Sequence, residues 1–265
     1  MDKAEKKVSE YYTERGWSQV GEHTEDAQKW EDLRGCAAEY VAQCRRRVLN
    51  VLPESGTNIL DMASGPIQYP EYLQYSTNFQ TRWCIDLSAT ALEMAEKRIG
   101  SHGRFICGSF FETKLENDYF DAAISLHTIY HMDAEKQYEA VLKLINVTKP
   151  GGSIVIVYNN PNSILSRISQ LRKLLFPKTR YHEDQKLLYF HAHPLGWWSQ
   201  FEPYASIQIL PWRTMRSNIQ KMLIPNNKFG KFMLKILFKL EESFPQSFVQ
   251  IGDYPMIILK KLEDK

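Results

Sequence analysis

The chain has 265 residues, of which 43% are hydrophobic and 24% are charged, an ordinary mixture for a folded protein with a substantial core. Its 33 basic and 31 acidic side chains leave a net charge of +2, which argues against a nucleic-acid partner and favours a small or neutral one. No stretch reaches the roughly 18 apolar residues that span a bilayer, and the charged first residues do not resemble a signal peptide. We therefore expect one domain over residues 1–265, soluble and cytoplasmic.

The N-terminal segment, residues 1–52, is predicted to be helical. Apolar residues recur in it at helical spacing and the pattern stops at Pro53. Two of the four cysteines, Cys36 and Cys44, lie in this segment, and Cys84 and Cys107 lie in apolar runs further along the chain. Because none has CxxC spacing, we expect all four to be reduced thiols in the core.

Residues 58–158 have a different texture, in which short apolar runs alternate with helical or turn-rich stretches. Such alternation predicts a parallel sheet that is buried on both faces. Two further runs, Ile207 to Leu210 and Tyr254 to Leu259, would complete the sheet in residues 204–265. The predicted fold class is α/β, with a Rossmann-like, mostly parallel seven-stranded sheet and helices on both faces. The five runs of the core are Ile59–Met62, Trp83–Asp86, Arg104–Cys107, Ala122–Ser125 and Ile154–Val157.

A basic, helical stretch over residues 160–203 follows the fifth strand, and we interpret it as a cap inserted over the carboxyl edge of the sheet. It carries the basic residues Arg167, Arg172, Lys173, Lys178 and Arg180 among leucines and isoleucines.

A candidate nucleotide site follows the first strand, where Asp61 leads into the small residues Ala63, Ser64 and Gly65. Small side chains let the backbone approach a ligand closely. The second strand ends in Asp86, where an acid can accept both hydroxyls of a ribose. Ser88 is expected to cap the helix that follows.

Four motifs stand in a fixed order in this region. They are Leu60-Asp61-Met62-Ala63-Ser64-Gly65-Pro66, Ile85-Asp86-Leu87-Ser88, Phe120-Asp121-Ala122-Ala123-Ile124-Ser125 and Lys149-Pro150-Gly151-Gly152. Over residues 58–158 the chain resembles the class I S-adenosylmethionine-dependent methyltransferases, in the branch with the ubiquinone and menaquinone enzymes. The resemblance implies S-adenosyl-L-methionine as cofactor, a methyltransferase activity, and a cofactor site formed by Asp61, Ala63, Ser64, Gly65, Pro66, Asp86, Leu87, Ser109, Phe110, Leu126 and His127.

The sequence departs from the family pattern at two places. Ala63 and Ile67 occupy the first and third glycine positions of the loop, so that only Gly65 is retained. The acid that often meets the adenine amino group after the third strand is absent, and Ser109 and Phe110 stand there instead. We expect Ser109 to form one hydrogen bond with the base and Phe110 to cover its ring.

Candidate catalytic residues follow the fourth strand, at the edge where open α/β sheets bind ligands. An imidazole there could take a proton from a substrate hydroxyl, which makes His127 and His131 candidates and places Tyr130 beside the substrate. For His131, a structural role in fixing the loop is the alternative.

Further substrate-binding candidates lie outside the core. His191, His193 and Trp197 belong to an aromatic cluster in the cap, and a metal site there is disfavoured because no third ligand has convincing spacing. Arg213 could supply a cation to an anionic substrate. The resemblance implies that the N-terminal segment covers the cofactor as a lid, with Tyr11 and Tyr12 facing the ligand, while Trp30 is expected to dock on the sheet.

A helix from about Lys228 to Leu240 has an apolar stripe that includes Phe229, Met233 and Leu237, with lysines around it. We expect the stripe to be core, and contact with a membrane surface is the alternative.

The leading functional hypothesis is O-methylation of a sugar or a secondary metabolite as the small-molecule methyl acceptor. Methylation of a quinone or lipid-linked substrate at a membrane, and a non-catalytic S-adenosylmethionine-binding protein, are the alternatives. The sequence leaves the oligomeric state open.

Overall fold

The computed structural model describes residues 1–168 and 188–263. The strands of its central sheet are β3 (Gly56–Met62), β4 (Phe79–Asp86), β5 (Gly103–Cys107), β6 (Phe120–Leu126), β7 (Thr148–Val157), β8 (Ala205–Arg213) and β9 (Tyr254–Lys261). Their order across the sheet is β5-β4-β3-β6-β7-β9-β8. The five strands β3 to β7 are parallel to one another, and β9 runs antiparallel to both β7 and β8. The predicted seven-stranded, mostly parallel sheet is therefore confirmed.

The N-terminal segment is largely helical, as its spacing predicts, and a small hairpin of β1 (Gln19–Val20) and β2 (His23–Thr24) interrupts it. A single π-helical turn, Tyr12–Gly16, continues its first helix. The α-helices of the described residues are α1 (Lys3–Tyr11), α2 (Glu25–Trp30), α3 (Ala38–Arg46), α4 (Pro70–Gln74), α5 (Ala89–Ile99), α6 (Gln137–Val147), α7 (described over 164–168), α8 (Ser217–Leu223), α9 (Lys228–Ser243) and α10 (Pro245–Ile251).

Both faces of the sheet are buried, because alternate residues of each central strand point to opposite sides. On β3, Leu60 and Met62 pack with α6 and with the 3₁₀ segment Leu195–Phe201. Ile59 faces the other side, where it packs against Tyr75 and Val48. Ser88 caps α5 as predicted, because its hydroxyl accepts a hydrogen bond from the backbone N–H of Ala91 at 3.3 Å. The parallel strands bring the loops after β3, β4, β5 and β6 to one edge.

Two expectations about packing are corrected, and the predicted cap shares the main core. All four cysteines are free, but Cys107 is exposed, because it is the last residue of the edge strand β5. Trp30 is 38% exposed rather than docked, since it ends α2 at the surface. In the predicted cap, Trp198 and Phe201 are buried in the main core, so this part extends the core.

The cap residues Arg172, Lys173, Lys178 and Arg180 lie outside the described residues. In the part of the chain that is described, none of the helices combines the length and the apolar character needed to cross a bilayer.

Candidate active site

The loop after β3 carries three left-handed residues at alternate positions: Ala63 with φ 56°, Gly65 with φ 55° and Ile67 with φ 51°. These are the three glycine positions of the family pattern. The loop therefore adopts the glycine conformation even where side chains disfavour it, at about 1–3 kcal/mol per strained residue. At Ile67 burial offsets part of this strain, because its side chain is fully buried among Cys84, Leu92 and Ala95.

Asp86, at the end of β4, lies directly beside this loop. The N–H of Gly65 donates to its Oδ2 at 2.9 Å, and the N–H of Ser88 donates to its Oδ1 at 2.8 Å. Burial raises the pKa of Asp86 to about 6. Each carboxylate oxygen keeps a lone pair for another donor, so the group can accept a pair of hydroxyls.

Asp61 has a different environment from Asp86. Its carboxylate forms a buried ion pair with Arg82 on β4, with Nε 3.1 Å and Nη2 2.5 Å from the same oxygen, Oδ2. The pair joins β3 to β4 beneath the loop. Asp61, which the sequence predicts to contact the cofactor, is thus paired with Arg82 in the structure.

A carboxylate also lies beyond β5, and it comes from the N-terminal helix. The hydroxyl of Ser109 donates to Oε1 of Glu5 at 2.5 Å, and the N–H of Asp2 donates to Oε2 at 3.1 Å. Glu5 is buried. The acid that is missing after β5 in the sequence is thus supplied from α1, more than 100 residues away. Sequence reasoning missed Glu5, although the capping box of Asp2 and Glu5 indicates a helix start there.

The N-terminal segment covers the glycine-position loop. A Cβ placed on Gly65 would lie 3.3 Å from the indole ring of Trp17. The ring of Trp17 stacks on Tyr12 with centroids 4.8 Å apart, and Tyr12 meets the buried Tyr11 edge-on. The predicted aromatic residues Tyr11 and Tyr12 therefore lie in a closed cover, in which Trp17 was not foreseen.

Phe110 departs from its expected position over a ligand. Its ring is buried in the main core, and the ammonium group of Lys143 on α6 lies 4.8 Å from its centroid. The remaining predicted loop residues, Ser64, Pro66, Leu87 and Leu126, follow β3, follow β4 or end β6 at the same edge.

His127 directly follows β6 and has a left-handed backbone, with φ 59°. Its Nδ1 lies 3.1 Å from the hydroxyl of Tyr130, and its ring lies 4.6 Å from the ring of Trp212 and 5.1 Å from that of Tyr254. Burial, and then the positive charge of Arg213, lower the pKa of His127 to about 3. The imidazole is therefore neutral near pH 7.

His131 has the geometry of a structural residue. Its Nδ1–H donates to the carbonyl oxygen of Tyr189 at 2.8 Å, and the N–H of His191 donates to the carbonyl oxygen of Tyr130. Burial lowers the pKa of His131 to about 4. These bonds hold residues 189–191 against the loop after β6.

The predicted aromatic cluster lies next to this tether. The ring of His193 stacks on Trp197 with centroids 4.5 Å apart, and the ring of His191 meets His193 at 4.7 Å. Within the described ranges, no group of three side chains is arranged to hold a metal ion. The stacking gives His193 a packing role.

Arg213, at the end of β8, is deeply buried and pairs with Glu31, whose Oε2 lies 2.8 Å from its Nη1. Arg45 of α3 lies 3.6 Å from the same carboxylate and 3.3 Å above the ring of Tyr69. Although burial alone would raise it, the two guanidinium groups lower the pKa of Glu31. We call Glu31, Arg45, Tyr69 and Arg213 the arginine cluster.

Several polar atoms of the arginine cluster are buried without a hydrogen-bond partner. They are Nε of Arg45, Nε of Arg213 and the hydroxyl of Tyr69. All three are donors, and buried donors are usually satisfied. These three donors therefore have no acceptor, although Oε2 of the neighbouring Glu71, 3.5 Å from Nη1 of Arg45, is also buried without a hydrogen-bond partner. It adjoins His127 through the Tyr254 ring, which lies 5.1 Å from the His127 ring centroid and 5.3 Å from the Arg213 guanidinium carbon.

The structure thus brings Gly65, Asp86 and Ser109 together, with Glu5, in what we call the loop edge. His127 and Tyr130 lie nearer to Arg213, whereas His191, His193 and Trp197 lie on the far side of Tyr130. Sequence reasoning missed Glu5, Trp17, Glu31 and Arg45, because nothing in the local sequence around them indicates a ligand.

Comparisons with known proteins match the core. Residues 60–156 match the family model of a methyltransferase domain. An uncharacterised methyltransferase from Anoxybacillus flavithermus (strain DSM 21510 / WK1) is 28% identical over 109 residues, which cover 41% of this chain and 50% of that relative. This chain therefore spans about half the length of the curated relative that it matches.

Two solved structures resemble nearly the whole chain. The N-methyltransferase NodS from Bradyrhizobium japonicum WM9, in complex with S-adenosylhomocysteine, has a TM-score of 0.59 and 11% identity, and the match covers 99% of this chain and 100% of that one. The geranyl diphosphate C-methyltransferase from Streptomyces coelicolor A3(2) has a TM-score of 0.58 and 14% identity, with 98% of each chain covered. Residues 60–156 therefore match a methyltransferase domain, and the chain shares the Rossmann-like fold of these two methyltransferase structures.

Proposed function

We propose that this protein transfers the methyl group of S-adenosylmethionine to an oxygen atom of a small molecule. The observation that carries the proposal is the loop edge, where Ala63, Gly65 and Ile67 share the left-handed backbone and the N–H of Gly65 meets the carboxylate of Asp86. A loop that keeps this conformation at strained alanine and isoleucine residues is under a functional constraint, since strain of this kind concentrates at ligand sites.

The residues of the loop edge fit the cofactor. Gly65 would let the methionine part approach the backbone, Asp86 would accept hydrogen bonds from the ribose hydroxyls, and Glu5 with Ser109 would accept a hydrogen bond from the adenine amino group. When bound, S-adenosylmethionine supplies a methyl group activated by a positively charged sulfur. Tyr12 and Trp17 exclude water from this group and present aromatic faces to its charge. We assign Asp61 to support of the loop through Arg82.

His127 is our candidate for the proton acceptor. Its imidazole is neutral. In the tautomer whose Nδ1–H donates to the hydroxyl oxygen of Tyr130, Nε2 keeps its lone pair and can take the proton of a substrate hydroxyl. The low pKa makes it a weak base, so positioning of the acceptor supplies more of the rate than proton transfer does. We assign His131 to the scaffold, because its ring is committed to the Tyr189 carbonyl.

The arginine cluster defines the class of methyl acceptor that we propose. Three buried donors without acceptors beside His127 favour a hydroxyl compound that also carries a carboxylate or phosphate group. Such a group would accept hydrogen bonds from the Nε atoms of Arg45 and Arg213. Sugar acids, sugar phosphates and acidic secondary metabolites have this chemistry.

Calorimetric titration with S-adenosylmethionine and S-adenosylhomocysteine tests the cofactor half of the proposal. We expect both to bind, and we expect Asp86→Asn to weaken binding by roughly a hundredfold, or ~3 kcal/mol, because two charge-assisted hydrogen bonds are lost. Affinity of the wild type should fall as the pH is lowered through about 6, because protonation of Asp86 removes the charged acceptor. In Asp86→Asn this dependence should disappear.

The matched control is Glu93→Gln, which neutralises an exposed acid on α5. Absence of binding to either compound would overturn the proposal. Tight binding without turnover of any acidic hydroxyl compound would instead support a non-catalytic binding protein.

A further inference from the structure

Helix α9 exposes an apolar stripe to solvent. Four large side chains at helical spacing form it: Phe229 is 62% exposed, Phe232 57%, Ile236 42% and Leu240 41%. Phe244, the residue after α9, is 57% exposed and extends the stripe at its C-terminal end, four residues after Leu240. The expectation that the stripe is core is therefore wrong for these four residues, although Met233 and Leu237 pack against the core as expected.

The helix is firmly held on its other face. Leu234 is buried against Tyr40 and Met215, and the carboxylate of Glu241 accepts hydrogen bonds from the Tyr40 hydroxyl at 2.7 Å and from Thr214. The side chain of Asn227 caps the first turn. The exposed stripe thus belongs to a fixed helix with one buried face and a second, uncovered apolar face, which is uncommon on a monomeric surface.

A row of exposed lysines runs beside the stripe. Lys228, Lys231, Lys235 and Lys239 follow one another at spacings of three or four residues, so they share one flank of the helix. Neither acid of α9 leaves an unpaired carboxylate beside this row: Glu241 is buried, and Glu242, which continues the row three residues after Lys239, pairs with Arg47 at 2.7 Å.

We propose that α9 lies on an anionic membrane surface, with the stripe at the boundary between headgroups and acyl chains and the lysines against lipid phosphates. Aromatic and aliphatic side chains beside a lysine row are the features of helices that bind in the plane of such an interface. A second copy of the stripe suits these lysines poorly, because an α9–α9 contact would bring them no free carboxylate.

Sedimentation of the full-length protein with vesicles tests this inference. Vesicles of phosphatidylcholine alone are compared with vesicles of equal parts phosphatidylcholine and phosphatidylglycerol, at low and moderate salt. We expect binding to the mixed vesicles that weakens with salt. The double variants Phe232→Ser/Ile236→Ser and Lys231→Glu/Lys235→Glu should each reduce partitioning roughly tenfold or more.

Two controls match these changes in chemistry. Lys97→Glu/Lys114→Glu reverses two exposed lysines outside α9, and Leu262→Ser removes an exposed apolar side chain near the C-terminus. Both should bind like the wild type, and thermal melts should show that every variant is folded. Protein that stays in the supernatant with both vesicles at low salt would overturn the inference, as would variants of α9 that bind undiminished. Dimerisation lost in Phe232→Ser/Ile236→Ser, without vesicle binding, would point to a second copy instead.

Discussion

The loop edge and the arginine cluster both lie at the edge of the sheet where the parallel strands end, but they are built from different parts of the molecule. In the loop edge, the geometry comes mainly from backbone conformation within residues 61–109, with only Glu5 added from outside. In the arginine cluster, Glu31 at the end of α2, Arg45 of α3 and Arg213 of β8 come from three elements and meet through their side chains. A site that is fixed by the backbone can keep its shape when side chains vary, whereas a site made by paired charges depends on each partner.

The largest expected effect is on the arginine cluster. Arg213→Ala should lower the free energy of unfolding by about 3–5 kcal/mol, because it leaves Glu31 buried with a weaker partner. Urea denaturation would measure the change. Arg46→Ala is the control, since it removes an exposed arginine from ion pairs at 3.8 and 3.9 Å and should cost at most about 1 kcal/mol.

Equal costs for Arg213→Ala and Arg46→Ala would mean that the arginine cluster is not the tightly coupled unit that the structure indicates. The double variant Glu31→Met/Arg213→Met sharpens the test, because it removes both charges and should recover part of the loss.

The next effect concerns His127, which lies between the two regions. His127→Asn should lower kcat by roughly a hundredfold, or ~3 kcal/mol, if the imidazole takes the substrate proton. Asparagine tolerates the left-handed backbone at this position, so stability should change little. The rate is measured with an acceptor found by screening acidic hydroxyl compounds, and exposed His23→Asn is the control. A rate that is unchanged in His127→Asn would assign catalysis to positioning alone.

Glu5 tests whether the loop edge extends onto the N-terminal helix. Glu5→Gln should weaken S-adenosylhomocysteine binding by about tenfold, or ~1.4 kcal/mol, through loss of a charge-assisted hydrogen bond. The wild type should also reject S-inosylhomocysteine, whose base presents a carbonyl oxygen to the carboxylate in place of the amino group, and Glu5→Gln should lose this discrimination.

The control is Glu10→Gln, an exposed acid on the same helix. Unchanged discrimination in Glu5→Gln would limit Glu5 to its bonds with Ser109 and Asp2.

The sequence predicted the seven strands and the loop edge for a physical reason. Both depend on short-range patterns: alternating burial along each strand, and small or acidic residues where a strand ends. Glu5, Glu31 and Arg45 could not be found in this way, because their contacts are set by packing: those of Glu5 and Glu31 with Ser109 and Arg213 join residues more than 100 positions apart, and those of Arg45 join separate elements. Similarly, the apolar pattern of α9 does not indicate which of its apolar residues pack against α3 and which remain exposed.

The smallest effect tests the statement that the loop edge is set by the backbone. Ala63 has φ 56° and is half-buried, so Ala63→Gly should leave stability unchanged or raise it by up to about 1 kcal/mol, because relief of strain offsets the greater freedom of the unfolded chain. Ala42→Gly, at a half-buried position inside α3, should instead cost about 1 kcal/mol. Urea denaturation of both variants compares the same chemical change on two backbones. If Ala63→Gly lowered the free energy of unfolding as much as Ala42→Gly, the packing of the Ala63 methyl group would outweigh the strain of its left-handed backbone. The statement that the backbone sets the loop edge would then be wrong at this position.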